Sequence, residues 1–337
     1  MHLQEELNKV LQHRTSIYGF LAIWIILFHI SSRVDVPGNP RVITPLIEMG
    51  NICVDVFLFI SGYCVCQSYE KTRNIWSYFK KRINRIIIPY IVFGVPLYLW
   101  KNFVETHGVF SIKAFIGDIV TYNFWIHGMQ TTWFVCAILL FYMITPFLFL
   151  IIKKGKKTSV CLIVTIFIMN ILAFIIWPLY RKSSICWTRL PVYVLGMITY
   201  CYLPASNMKN ESLICKILIT ITFLLMVIFP FREIYTSQIG SAYEFMFLGY
   251  ILLIPGLCII LGEVFDNNHI KGYQLFVELG KLSLELYIIH VFLLRIFDYF
   301  SLSSIIGISY YILIPGLSIA VVKIYELLRR KLNTRTN

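Results

Sequence analysis

Apolar residues recur along this chain in runs approaching twenty, separated by short polar stretches, from just after Arg14 almost to the C-terminus. A helix rising about 1.5 Å per residue needs roughly 20 apolar residues to cross a hydrocarbon core about 30 Å thick. Runs of that order lie near 15–32, 48–68, 86–101, 132–152, 158–178, 190–203, 214–231, 241–262, 279–298 and 305–328. The pattern predicts an all-α protein, a polytopic transmembrane helical bundle of about ten helices that fills 1–337 as a single integral-membrane domain. Two connections are longer than the rest. Ser32 to Gly50 carries Pro37-Gly38-Asn39-Pro40, a loop signature. Asn102 to Thr131 has room for an interfacial helix around Ile112–Val120.

Composition supports the same class. Of 337 residues 58% are hydrophobic and only 14% charged, too little charged surface for a soluble domain of this length. The formal charge of +13 raises nucleic acid as a partner, but the basic residues stand in short clusters between apolar runs, where topology accounts for them. Nucleic acid is therefore set aside. With both termini cytoplasmic, the inner segments take Lys80, Lys81, Arg82 and Arg85, the lysines from Lys153 to Lys157, and Arg329, Arg330 and Lys331. The outer segments take a minority of the lysines and arginines, and an even number of spans satisfies both basic ends. The expected location is the plasma (inner) membrane.

The nine cysteines lack zinc-site spacing and read as small packing residues, so no metal is expected. The first run follows basic residues, as in a signal peptide. No small-residue cleavage site follows Phe28-His29-Ile30, which reads as an uncleaved span. Asn210-Glu211-Ser212 fits a glycosylation pattern but falls on an inner loop and is discounted.

Helical rise converts numbering into depth. His29 stands fifteen residues above Arg14, about 22 Å, and Asp55 sixteen residues from Lys71 on a helix of opposite direction, about 24 Å. The two reach one level, where adjacent antiparallel helices bring imidazole and carboxylate together. Ionisable groups inside spans are costly and usually face a cavity. A carboxylate beside a histidine orients the ring and raises its basicity, which suits a general base taking a proton from a hydroxyl; a purely structural His–Asp hydrogen bond is the bland alternative. Ser61-Gly62 reads first as a close helix approach. His290 is a second candidate, and Arg295 and Asp298, spaced i, i+3, read as a pair. Trp133 and Trp187 fit an aromatic belt. Arg82 and Arg85 share a face at i, i+3 and read either as topology signals or as a phosphate clamp.

Taken together, Leu27-Phe28-His29, Val54-Asp55-Val56-Phe57-Leu58-Phe59-Ile60-Ser61-Gly62-Tyr63 and the arginine-x-x-arginine of Arg82 to Arg85 followed by Pro89 resemble the bacterial membrane acyltransferase family three. Trp133-Phe134-Val135, Arg189-Leu190-Pro191 and Leu282-Ser283-Leu284-Glu285-Leu286-Tyr287-Ile288-Ile289-His290 extend the likeness over essentially the whole chain. The resemblance implies transfer of an acyl group from cytoplasmic acyl-CoA, with acetyl-CoA first in view, to a hydroxyl of an extracytoplasmic or lipid-linked glycan. It implies that His29 is catalytic and that Arg82 and Arg85 contact the CoA end. The family usually has an arginine eleven residues before the histidine; here that position is Tyr18, and Arg14 lies one turn earlier with a stem long enough to reach a similar place. Arg14 and Tyr18 therefore join the donor set. Ser61, Trp133, Arg189, Glu285 and His290 are the substrate-binding candidates within the shared motifs.

The rival reading is a multi-pass carrier or flippase for a lipid-linked or anionic metabolite, using the same arginines and histidine for binding and proton coupling. Inverted repeats and paired broken helices, which would support it, are not evident in the sequence.

Overall fold

The computed structural model describes the chain except for residues 1–2, 36–42, 73, 129–130, 177, 204–210, 229–245, 268–271 and 336–337. The expected turn at Pro37–Pro40, and Asn210 of the glycosylation pattern, lie outside the described residues. Every regular element among the described residues is helical. We number the principal helices α1 (Leu3–Gln12), α2 (Arg14–Ser31), α3 (Ile43–Thr72), α4 (Ile75–Val104), α5 (Trp133–Ile152), α6 (Lys156–Ile176), α7 (Pro178–Trp187), α8 (Leu190–Tyr202), α9 (Glu211–Ile228), α10 (Met246–Asp266), α11 (Tyr273–Lys281), α12 (Ser283–Tyr299) and α13 (Tyr310–Arg335).

Among the described residues seven helices are long and apolar enough to cross a bilayer: α2 to α6, α10 from Gly249, and the stretch Gly307–Lys331. The chain is a multi-pass membrane protein. The other expected spans form helices too. Of these, α8 has 13 residues, α12 has 17, and α9 ends where the described residues end. The predicted interfacial helix appears as Ile112–Ile119, with the Ser111 hydroxyl accepting from the Ala114 amide at its N-cap.

The helix α4 is continuous but not uniformly α. Tyr90–Gly94 and Trp100–Val104 are π-helical, on either side of a short α-turn. Pro89 and Pro96 lie in this stretch, and a proline supplies no amide to the ladder, so the helix reaches one residue further for partners.

The chain packs as two compact units, each drawn from separate segments. Unit 1 comprises Met1–Arg14, Val54–Ile88 and Ser111–His269; unit 2 comprises Thr15–Cys53, Pro89–Phe110 and Ile270–Asn337.

In unit 1, α3 and α8 touch backbone to backbone. A Cβ on Gly62 would collide with the Tyr193 carbonyl, and one on Gly196 with the Phe59 carbonyl. The close-approach reading of Ser61-Gly62 is thereby met, with glycine on both sides of the contact. Because a carbonyl cannot move aside as a side chain can, Gly62→Ala is expected to cost about 1–3 kcal/mol, measured as a lowered thermal midpoint of the purified protein. An unchanged midpoint would mean the two helices separate freely. Against this bundle α1 lays its apolar face, while Lys9 reaches Glu6 at 3.3 Å and Glu263 at 2.7 Å. Burial, with the Glu263 carboxyl beside it, lifts the Glu6 carboxyl above its ordinary range.

Unit 2 repeats the device. Cβ atoms on Gly19 and Gly280 would strike the carbonyls of Phe276 and Thr15, so α2 and α11 lie in direct backbone contact. Farther along, Ile26 and Ile30 of α2 form a buried cluster with Leu294 of α12 and with Tyr310 and Ile314 of α13. These two contacts fix α2 against its neighbours at both ends.

Candidate functional site

His29 lies near the end of α2, and α12 brings His290 to it. Nε2 of His290 stands 3.1 Å from Nδ1 of His29, the ring centroids 5.1 Å apart. Nδ1 of His290 is 2.9 Å from the Leu286 carbonyl, one turn back on the same helix. A carbonyl only accepts, so that Nδ1 carries the proton. In a neutral ring Nε2 of His290 is then the acceptor, and the hydrogen between the two rings belongs to Nδ1 of His29. What remains on His29 is Nε2 with an open lone pair. His290 is fully buried, whereas His29 is half-buried, so the inner ring is fixed and the outer one accessible.

The end of α2 is held in the same register. Arg33, one turn beyond His29, donates from Nη1 to the His29 carbonyl at 2.7 Å and pairs through Nε with Asp298 at 2.9 and 3.0 Å. Asp298 is two turns past His290 on α12, so a cation caps the free carbonyl end of one helix while tied to the next. The expected Arg295–Asp298 pair does not form: Asp298 takes Arg33, and Arg295 pairs with Glu105. Arginine on a neighbouring helix meets the carboxylate squarely, which adjacency along one helix face does not guarantee.

Asp55 sits in unit 1, wholly buried, and its Oδ2 accepts from Nε of Arg189 at 3.2 Å. The Arg189 guanidinium lies over the Trp133 ring, 4.8 Å from its centroid, and Nη1 donates to the Ile185 carbonyl at 3.3 Å. Oδ1 of Asp55 has no hydrogen-bond partner among the described residues. Within unit 1 the carboxylate's partner is thus Arg189, and within unit 2 the imidazole's partner is His290. Depth fixes height along a helix but not the direction in which a side chain leaves it.

Three arginines gather elsewhere in unit 1. Nη1 of Arg14 approaches Sγ of Cys64 at 3.8 Å, and the charges of Arg82 and Arg85 bear on the same thiol. The Arg82 guanidinium lies 5.5 Å from the centroid of the Tyr142 ring. The Tyr142 hydroxyl meets Oγ of Ser61 at 2.8 Å, and its carbonyl accepts from the Tyr78 hydroxyl at 3.0 Å. None of the three arginines has a carboxylate partner among the described residues, and the buried Nε of Arg82 has no acceptor there. The neighbourhood thus carries guanidinium charge without a carboxylate to balance it and one buried donor without an acceptor, the residue chemistry that phosphate recognition uses.

The sequence-predicted residues therefore fall into three groups. His29 and His290 meet; Asp55, Arg189 and Trp133 meet; Arg14, Arg82, Arg85 and Ser61 share one neighbourhood. Tyr18 follows Arg14 by one turn on α2, hence on the same face, and is half-buried. Glu285 is buried in the first turn of α12, five residues before His290. Sequence reading missed Cys64 and Tyr142 as members of the arginine group and Arg33 as the brace behind His29. Arg33 carried a usable signal, since i, i+4 from His29 places it on the same face. Among the described residues no cluster of His, Cys, Asp or Glu is arranged to hold a metal ion.

Compared with known families, residues 19–325 match the acyltransferase domain of acyltransferase family 3. No curated protein and no solved structure matches the chain.

Proposed function

The chain belongs to acyltransferase family 3, and from that premise we propose that it is an acyl-CoA-dependent O-acyltransferase of the plasma membrane. The acyl group, acetyl in the first instance, passes from cytoplasmic acyl-CoA to a hydroxyl of an extracytoplasmic or lipid-linked glycan. The observation that carries this reading is the open Nε2 of His29, set by the chain from the Leu286 carbonyl through His290.

In the proposed reaction Nε2 takes the proton of the acceptor hydroxyl as its oxygen attacks the thioester carbonyl. The carbon–sulfur bond then breaks and the CoA thiolate leaves, accepting a proton from the imidazolium. The positive charge formed on His29 spreads through its Nδ1–H to His290, so His290 is a positioning residue that fixes the tautomer. Arg14, Arg82 and Arg85 hold the phosphates of the donor, with Tyr18 beside Arg14. Asp55, Arg189 and Trp133 form a buried polar–aromatic group offering one unfilled acceptor, Oδ1, to a hydroxyl of the glycan. Both termini face the cytoplasm in this scheme, which puts the arginines on the side where CoA is found.

Labelled acetyl-CoA, offered to purified protein with candidate glycans, tests the reading. Label in the glycan together with released CoA is the expected result; movement of a solute without any need for CoA would establish a carrier in its place. The donor site has a test of its own. Cys64 is half-buried and lies against Arg14, so bound CoA is expected to slow its alkylation by a maleimide while leaving exposed Cys161 unaffected. Arg82→Ala should raise the CoA concentration needed for protection about tenfold or more, the usual loss of a charge-assisted contact. Undiminished labelling of Cys64 at saturating CoA would remove the phosphates from these arginines.

A further inference from the structure

Unit 1 carries a half-open cavity of about 490 Å³ to which none of the proposed catalytic or donor residues contributes. Its walls come from α1, α3, α6, α8, α9 and α10 and are almost entirely carbon, with Leu7, Ile198 and Ile259 among them. The polar groups gather where α6 begins. There Ser159 and Tyr202 both donate their hydroxyls to the Ile152 carbonyl, so their hydrogens are already used. Lys156 lies beside them, its ammonium 5.9 Å from the centroid of the Tyr202 ring. Lys153 is neutralised by Glu70 at 2.8 Å, but Lys154, Lys156 and Lys157 have no carboxylate partner among the described residues.

A space this apolar offers water too few partners to fill it, while its rim carries uncompensated positive charge. The complementary ligand has a long apolar tail and an anionic head. Size narrows the choice. At about 30 Å³ per small group, the share of a water in the liquid, a space of about 490 Å³ takes roughly sixteen chain carbons, the length of one fatty-acyl chain. We propose that this cavity binds one acyl chain of an anionic glycerophospholipid, whose phosphate rests on Lys156 with Lys154 and Lys157 alongside.

Native mass spectrometry of the delipidated full chain, titrated with phosphatidylglycerol, phosphatidylcholine and a polyprenyl phosphate, tests this directly. Phosphatidylglycerol should form a one-to-one adduct that outlasts the phosphatidylcholine adduct. Lys156→Gln, at an exposed position, should weaken it about fivefold, the usual contribution of one basic residue near an anionic lipid surface. Ile198→Trp, which fills the space, should abolish it in protein whose melting point is retained. Equal retention of the two phospholipids, indifference to Lys156→Gln, preference for the polyprenyl phosphate, or wild-type binding by folded Ile198→Trp would each overturn the assignment.

Discussion

His29→Ala is expected to cut acyl transfer by about 10²–10⁴-fold, the range a positioned general base contributes, with little effect on CoA binding. The change removes a half-buried ring at the end of α2 and leaves untouched the three arginines assigned to the donor. Protection of Cys64 by CoA should therefore survive in a variant that no longer transfers. His290 separates positioning from catalysis. His290→Leu takes away the acceptor for the His29 Nδ1 hydrogen, and kcat is expected to fall while KM for acyl-CoA stays constant. His290→Gln puts a carbonyl oxygen within reach of that hydrogen and should recover part of the lost rate, which a merely space-filling role for His290 would not predict. Full transfer by His29→Ala would sink the assignment of the base, whatever His290 does.

The sequence carried the fold and the residue types further than the contacts. Apolar run length placed nearly every long helix, because the cost of exposing backbone in hydrocarbon leaves a spanning segment no other form. It also singled out His29, Asp55 and the arginines, since ionisable groups in such runs need a reason to be there. Partner choice was another matter. Asp55 and Arg189 are 134 positions apart in the chain, and no local periodicity links them. His290 was visible as a polar residue in a span, but its place opposite His29 depends on how α2 and α12 are rotated. That rotation is set by the backbone contact of Gly19 and Gly280 with their neighbouring carbonyls and by the cluster around Ile26, Ile30 and Leu294. Neither contact follows from a periodicity of 3.6. The same holds for Ser61: its helix was legible, whereas its hydroxyl partner Tyr142 required the packing of α3 on α5.

The largest loss of stability is expected at Arg189. Replacing it by Met leaves the Asp55 carboxylate fully buried without its only ion-pair partner among the described residues. Breaking a buried pair from one side typically costs about 3–5 kcal/mol, because the surviving charge keeps its desolvation penalty and loses the attraction that offset it. The guanidinium also leaves the face of Trp133, a contact worth about 2 kcal/mol when desolvated. Asp55→Asn combined with Arg189→Met removes both charges, so the double variant should unfold at a higher temperature than Arg189→Met alone. A double-mutant cycle on the purified protein, read by thermal unfolding in lipid nanodiscs, isolates this coupling. If the two variants melt together, the charge on Asp55 is not what Arg189 compensates, and Arg189 acts through its other contacts, the Trp133 ring and the Ile185 carbonyl among them. If instead the double variant is stable yet inactive, the pair's contribution lies in presenting Oδ1 to the acceptor rather than in holding α3 against the turn before α8.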